Sequence, residues 1–330
     1  MTSPEFDLLL ADLRERAGRR DWSGVRTLAA GAGTEFTIEF GLIVSEADLR
    51  QGDTISAKAR LLRVVQLAER RHDAAALTKA VNMLGGAWFE QGDLGAAESA
   101  FERATTEADL IQDHLTRARA TNNLGLIANV RGRHEEALAL YRVALPAYQR
   151  LGHAAGMGET SHNLAITLRD LGQLDEADRY ERRAIEFATE GHNIRLTAMA
   201  RAGRADISLR RGEAAVAAAD ARRAVVEYRE MGDAMGEADA LRTLGLACLA
   251  LEDRAQAETA ISNALELATQ SGATLIQAEC LAARARLAVA VGTRDLAHSA
   301  YLQAIGLFES LGAHLDRDQL AQWWDETTQG

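Results

Sequence analysis

An alanine returns every forty residues through most of the chain, at Ala57, Ala97, Ala137, Ala177, Ala217, Ala257 and Ala297. Alanine is abundant here, so that series alone decides little, but two further columns keep the same step. A glycine stands five residues upstream at Gly52, Gly92, Gly132, Gly172, Gly212 and Gly292, with Glu252 in its place once. A small residue stands seven downstream, at Val64, Ala104, Ala144, Ala184, Ala224, Ala264 and Ala304. Columns in register define an internal repeat. They replace the two globular domains that 330 residues would otherwise suggest with one elongated array.

Each unit reads as two helices. The first ends at the turn glycine, as in Glu90-Gln91-Gly92-Asp93 and Val130-Arg131-Gly132-Arg133, where a backbone with positive φ suits glycine. The recurrent alanine falls inside the second helix, where a side chain that stops at Cβ lets two helices approach closely. A second turn recurs between units, at Leu151-Gly152-His153, Glu190-Gly191-His192, Met231-Gly232-Asp233, Ser271-Gly272-Ala273 and Leu311-Gly312-Ala313. Unit boundaries near 38, 78, 118, 158, 198, 238 and 278 give helices of about 16 to 18 residues. Two prolines in the whole chain and a 47% hydrophobic composition agree with an almost wholly helical protein.

The ends depart from the register. Residues 5 to 17 carry apolar groups at helical spacing and stop at Gly18, and Asp21, Trp22 and Val25 begin a second amphipathic segment that runs to Gly31 and Gly33. Residues 1–37 are therefore expected to form an N-terminal helical cap, and 38–310 the seven repeats. The short stretch from Thr34 to Phe40 alternates briefly but continues into helical sequence, and is expected to be helix. Residues 311–330 are expected to form a C-terminal capping helix and tail. Its Trp323 and Trp324 either plug the end of the stack or anchor a partner or second copy.

At the second unit the pattern Leu84-Gly85, Trp88, Gly92, Ala97, Phe101, Ala104 resembles the tetratricopeptide repeat. The third unit repeats it with Leu124-Gly125, Gly132, Ala137, Tyr141 and Ala144, and the fourth with Leu164-Ala165, Gly172, Ala177 and Ala184. The forty-residue length is similar to the long-repeat branch seen in Pins-type adaptors, kinesin light chains and bacterial MalT-type and Rap-type regulators. The resemblance implies an all-α fold, a right-handed superhelical solenoid of helix-turn-helix hairpins with a capping helix at either end. It also implies a concave wall built from the first helices, in which a peptide or partner helix lies. Arg204 and Arg284 stand where other units have leucine, and Glu181 and Glu252 replace an expected large apolar residue and a glycine.

Projecting the first helices onto that implied wall selects Asn82, Arg119, Asn122, Asn123, Asn129, His162, Asn163, Arg169, Asp206, Arg210 and Arg242, with Lys79, Asp239, Glu279 and Arg286 among their neighbours. Asparagine disfavours helix interiors and offers both donor and acceptor, so Asn122-Asn123 and His162-Asn163 suit an extended peptide backbone. The alternative is that they tie hairpins together or face solvent. For the arginines the alternatives are a carboxylate clamp and a solvated face with i,i+4 partners.

Chemistry beyond binding finds no motif. There is no phosphate-cradling Gly-x-x-x-x-Gly-Lys, His-Glu-x-x-His or nucleophile elbow, so no enzyme, cofactor or catalytic residue is expected. The histidines near the turns, His72, His114, His153, His192 and His314, are spread along the array, so no metal site is expected. Cys248 and Cys280 are read as buried, reduced thiols. A formal net charge of -11 argues against nucleic acid as a partner. No run approaches the roughly 20 apolar residues that span a bilayer, and the first residues form no secretory signal, so residence is expected to be cytoplasmic. Of 37 basic residues only Lys58 and Lys79 are lysine, a bias expected of a GC-rich bacterial genome. The expected function is a non-catalytic scaffold holding a protein or peptide partner. The alternative is a sensor that binds a signalling peptide or small molecule and acts on a separate output partner. A homo-oligomer stays open.

Overall fold

The computed structural model describes residues 3–31, 36–311 and 313–328, and their secondary structure is seventeen α-helices. They fall into two compact units, Met1–Gly156 and Met157–Gly330. The first unit holds α1 (Pro4–Gly18), α2 (Trp22–Ala29), α3 (Ile38–Arg50), α4 (Thr54–Arg71), α5 (Ala74–Glu90), α6 (Leu94–Leu110), α7 (His114–Val130) and α8 (His134–Arg150). The boundary lies in the first turn of α9 (Ala154–Asp170). The second unit continues with α10 (Leu174–Glu190), α11 (Ile194–Arg210), α12 (Ala214–Met231), α13 (Ala234–Ala250), α14 (Arg254–Gln270), α15 (Thr274–Ala290), α16 (Arg294–Leu311) and α17 (His314–Thr328).

The alanine column is the hairpin seam. Ala57, Ala97, Ala137, Ala177, Ala217 and Ala257 are fully buried, and so are Val64, Ala104, Ala144, Ala184, Ala224, Ala264 and Ala304 seven residues on. The facing helix contributes glycine where an aromatic ring needs the space. A Cβ on Gly85 would lie 2.6 Å from the Phe101 ring, and one on Gly125 2.6 Å from Tyr141. Within each unit the first helices also touch one another, α3 with α5 and α5 with α7, then α11 with α13 and α13 with α15. Each unit therefore has a continuous first-helix layer.

Turn chemistry follows from the same columns. Gly52, Gly92, Gly132, Gly172, Gly212 and Gly292 all have positive φ, which glycine adopts without a Cβ clash. The aspartate that follows caps the next helix in several repeats, as where Asp93 Oδ1 accepts from the Ala96 amide at 3.0 Å and Asp253 Oδ1 from Gln256 at 3.1 Å. Between repeats the left-handed residue is Gly152, Gly232 or Gly272, but at one turn it is His192 (φ 49°) and not Gly191 (φ -81°). The glycine there sits one residue ahead of the forty-residue step. His72 and Gln112 occupy the same left-handed position in the first unit.

The expected helix across Thr34 to Phe40 needs correction. Residues 34 and 35 lie outside the described residues, Phe36 and Thr37 are not helical, and α3 begins at Ile38 with the Thr37 hydroxyl accepting from the Phe40 amide at 3.1 Å. Phe36 instead packs edge-on against Phe40 and beneath the Arg63 guanidinium. The expected turns at Gly33 and Gly312 also lie outside the described residues. Both cysteines are free and buried.

Candidate functional site: the first-helix layers

In the first unit the polar residues of the layer belong to α5 and α7. Asn82 is half-buried, with a buried Oδ1 that has no hydrogen-bond partner among the described residues. Asn122 is buried and its amide donates to Asn123 Oδ1 at 3.5 Å, while Asn123 itself is half-buried. Asn129 faces the turn, where its Oδ1 lies 3.0 Å from His134 Nδ1 and ties α7 to the start of α8. Arg119 is half-buried, and burial of His153, with Arg119 nearby, lowers the imidazole pKa. A separate cleft of about 420 Å³ opens between α7 and α8, lined by Arg117, Thr121, Val143, Ala147, Arg150 and Leu151 among others. None of the expected layer residues lines it.

The second unit carries a run of charge. Arg169 on α9 lies 2.8 Å from Asp170 and 3.4 Å from Asp206 on α11, and Arg210 reaches Asp206 at 2.9 Å. On α13, Arg242 contacts Asp239 at 2.6 Å and Glu279 of α15 at 3.4 Å. Burial opposes the charge of Arg242, but Asp239, Glu279 and Asp206 together hold its pKa above the ordinary arginine value. These arginines are therefore partnered across neighbouring repeats, in addition to the i,i+4 pair between Arg210 and Asp206. Asn163 is half-buried on α9, one residue beyond His162.

His162 turns away from the layer. It is 7% exposed, and its Nδ1 lies 3.0 Å from both carboxylate oxygens of Glu181, which is fully buried on α10. Glu181 occupies the column of Phe101 and Tyr141, so the ring pocket of those repeats here holds an imidazole–carboxylate pair. Burial raises the Glu181 pKa, while His162 and Arg169 oppose that rise.

A second polar cluster, not foreseen in the sequence, explains Arg204. Its Nε lies 3.1 Å from Asp178 and its Nη1 3.1 Å from Asp220, both nearly buried. The sequence signal was present: an arginine in the leucine column and Asp220 in a column that reads Ala100, Leu140 and Ala260 elsewhere. Arg284, the other arginine in that column, has a buried Nε without a hydrogen-bond partner among the described residues, and nothing in the structure explains it.

At the C-terminal end, Trp323 packs against the cluster containing Leu281, Phe308 and Leu320, and lies under the Arg286 guanidinium at 5.3 Å. Trp324 stacks on Tyr301 with ring centroids 4.5 Å apart. Among the described residues no group of three or more His, Cys, Asp or Glu side chains could hold a metal ion, and no helix is long and apolar enough to cross a membrane.

Buried small-residue columns, glycine-ended first helices and a layer built from those helices are the features a repeat family should share. The tetratricopeptide repeat family model matches residues 116–190. Tetratricopeptide repeats are thereby identified in that stretch. No curated protein sequence matches the chain. Solved structures share the tetratricopeptide fold over nearly the whole length. A Rap protein complexed with competence and sporulation factor is 12% identical, with TM-score 0.65, covering 99% of this chain and 98% of that one. The apo quorum sensor NprR from B. thuringiensis is 13% identical, with TM-score 0.62, covering 98% and 99%. A signal-transduction ATPase with a tetratricopeptide repeat sensor from Pyrococcus horikoshii is 13% identical, with TM-score 0.69, covering 95% of this chain and 48% of that one. At these identities the likeness is one of fold.

Proposed function

We propose that the protein is a non-catalytic interaction module that takes up a peptide or a partner's extended segment on its first-helix layers. Residues 1–37 and 311–330 would serve as caps of the repeats at 38–310. The observation that carries this reading is the separation of the repeat into two kinds of column. The alanine column is invariant and buried, whereas the layer column varies through Asn82, Asn122, His162, Ala202, Arg242 and Ala282, four of them polar and two of those half-buried. Packing explains the first column; in the second, His162 and Arg242 are held by carboxylates, whereas Asn82 keeps a buried Oδ1 with no hydrogen-bond partner among the described residues. Asn123 and Asn163 supply the donor and acceptor pairs that an extended backbone requires.

A regulatory version of the same reading draws support from neighbours of this fold. One is a Rap protein with its competence and sporulation factor and another is NprR with its cognate peptide NprX, the latter at TM-score 0.58. In that version the captured ligand is a signalling peptide and the output lies in a separate partner.

Selection from a phage-displayed peptide library tests the proposal. The intact chain is expected to enrich a peptide family that Asn123→Ala with Asn163→Ala no longer enriches, while the circular-dichroism melt of the double variant stays unchanged. Equal enrichment by the double variant contradicts the assignment of the layer.

A further inference from the structure

The α7–α8 hairpin is underfilled compared with the others. Thr121 on α7 and Ala147 on α8 line the cleft of about 420 Å³ that opens between these helices. In the same two columns the other hairpins carry Gly41 with Leu67, Val81 with Glu107, Ser161 with Phe187, Arg201 with Glu227, Leu241 with Leu267 and Leu281 with Leu307. Each of those pairs includes at least one long side chain, and Thr121 with Ala147 includes none. Arg201 and Glu227 form an ion pair, while Leu241 and Leu267 share one hydrophobic cluster and Leu281 and Leu307 another. Residues in the Ala147 column are half-buried in all seven repeats, so a long side chain there lies over its own hairpin. The cleft is the space left where that side chain is cut back to a methyl group.

The lining has an apolar part and a basic part. Ala118 and Ala144 are buried in the floor, and the Thr121 hydroxyl donates to the Arg117 carbonyl at 2.9 Å, which leaves the floor without a free donor. Exposed Val143 and Leu151 extend the apolar surface. The ionisable lining residues are His114, Arg117 and Arg150, and none of the described lining residues is acidic, in a chain of formal net charge -11. Asp109 holds Arg117 at 2.9 Å, whereas Arg150 has no carboxylate within ion-pair distance among the described residues. From His114 to Thr121 and from Val143 to Leu151 the walls run roughly 10–12 Å along their helices. The volume falls within the range of about 300–1,000 Å³ typical of small-molecule sites, which combine apolar walls with a few placed polar groups.

We propose that the cleft between α7 and α8 binds a small amphipathic carboxylate, with its hydrocarbon chain over Ala118, Ala144 and Ala147 and its head group at Arg150. The floor of methyl groups disfavours a wholly polar ion, which would lose hydration there without gaining a partner. The basic rim selects a negative head group over a neutral one. Arg117 is already paired, so one guanidinium is available, and that suits a monoanion better than a phosphate dianion. The site lies outside the first-helix layers and does not rest on the peptide reading.

The probe is octanoate, compared with octanamide, which keeps the chain and removes the charge, and with acetate, which keeps the charge and removes the chain. Binding to the full chain is followed by calorimetry and by the methyl NMR signals of Val143 and Leu151. Octanoate is expected to bind at one saturable site and to shift both sets of methyl signals, and acetate to do neither. Octanamide should bind about fivefold more weakly than octanoate, the upper range for an exposed ion pair. Ala147→Leu supplies the side chain of the Leu67, Leu267 and Leu307 repeats, fills the cleft, and should weaken octanoate at least about tenfold. Arg150→Gln should bring octanoate down to the affinity of octanamide. No saturable binding of octanoate, methyl signals that stay in place at saturation, equal affinity for acid and amide, or undiminished binding by Ala147→Leu overturns the proposal. The methyl shifts and the comparison of acid with amide use the unmodified chain, so they decide the matter even where Ala147→Leu does not fold.

Discussion

Gly203 on α11 stands where an added Cβ would come within 2.2 Å of Glu181 Oε1 on α10. The buried carboxylate fits only because that residue has no side chain, and His162 closes the same space from α9 with both carboxylate oxygens at 3.0 Å. A polar pair has replaced the ring that fills this pocket in the repeats of Phe101 and Tyr141.

That pair makes stability depend on pH in a stated direction. Burial raises the Glu181 pKa above its ordinary 4.5. A carboxyl whose pKa is higher in the folded state favours folding in its protonated form. Its contribution is fully present below the unfolded value and is lost as pH rises through the folded value. Glu181→Gln, which keeps a hydrogen-bonding group beside His162, should remove this dependence. Urea midpoints measured from pH 4.5 upward are expected to fall for the wild type relative to the variant. A difference that does not change with pH contradicts the assignment.

Arg204→Leu restores the residue that most other repeats carry, yet it should destabilise the protein. It leaves Asp220 nearly buried without the guanidinium that lies 3.1 Å from it, while Asp178 keeps Arg182 at 2.7 Å and Arg211 at 3.5 Å. Removing one member of a buried ion pair costs about 3–5 kcal/mol, whereas replacing both members with apolar residues is often neutral. Arg204→Leu with Asp220→Ala should therefore recover most of the loss. Denaturant unfolding of the single and double variants checks this, and a double variant no better than the single one contradicts it.

Gly125→Ala adds one methyl group that would meet the Tyr141 ring at 2.6 Å. The ring is fully buried, so the strain should cost about 1–3 kcal/mol. Gly86→Ala, on a neighbouring first helix with nothing within 4 Å of the new Cβ, is the control and should stabilise slightly. Thermal melts of the two variants should move in opposite directions.

Glu252 occupies a left-handed turn position (φ 61°) that glycine fills in the equivalent repeats. Glu252→Gly should raise stability by about 1 kcal/mol by relieving the Cβ clash of that conformation. A lowered melting temperature contradicts this account of the turn.

The legible part of the fold was the part that repeats. Ala97, Gly92 and Ala104 recur because two helices must touch and a turn must reverse at the same point in each hairpin, so their spacing alone placed the hairpins. Side-chain direction was harder to read. His162 shares a column with Asn82 and Asn122, but its ring turns inward because Glu181, nineteen residues on and on another helix, offers a buried acceptor pair. The paired state of Arg169 and Arg242 likewise depends on carboxylates one repeat away, at Asp206 and Glu279. A column projection treats each first helix alone and does not see them. At the turn after α10 the left-handed residue is His192 and not Gly191, an offset of one residue that a glycine beside the step does not reveal.

The most direct test of peptide binding on the first-helix layers is the dissociation constant of one selected peptide, measured for the wild type and two double variants. Asn123→Ala with Asn163→Ala alters the layer, and Val143→Ser with Leu151→Ser alters the separate cleft on α8, where both residues are exposed. The layer variant should bind at least about tenfold more weakly with an unchanged melt, and the cleft variant should bind as the wild type does. Undiminished binding by the layer variant, or loss confined to the cleft variant, would contradict it.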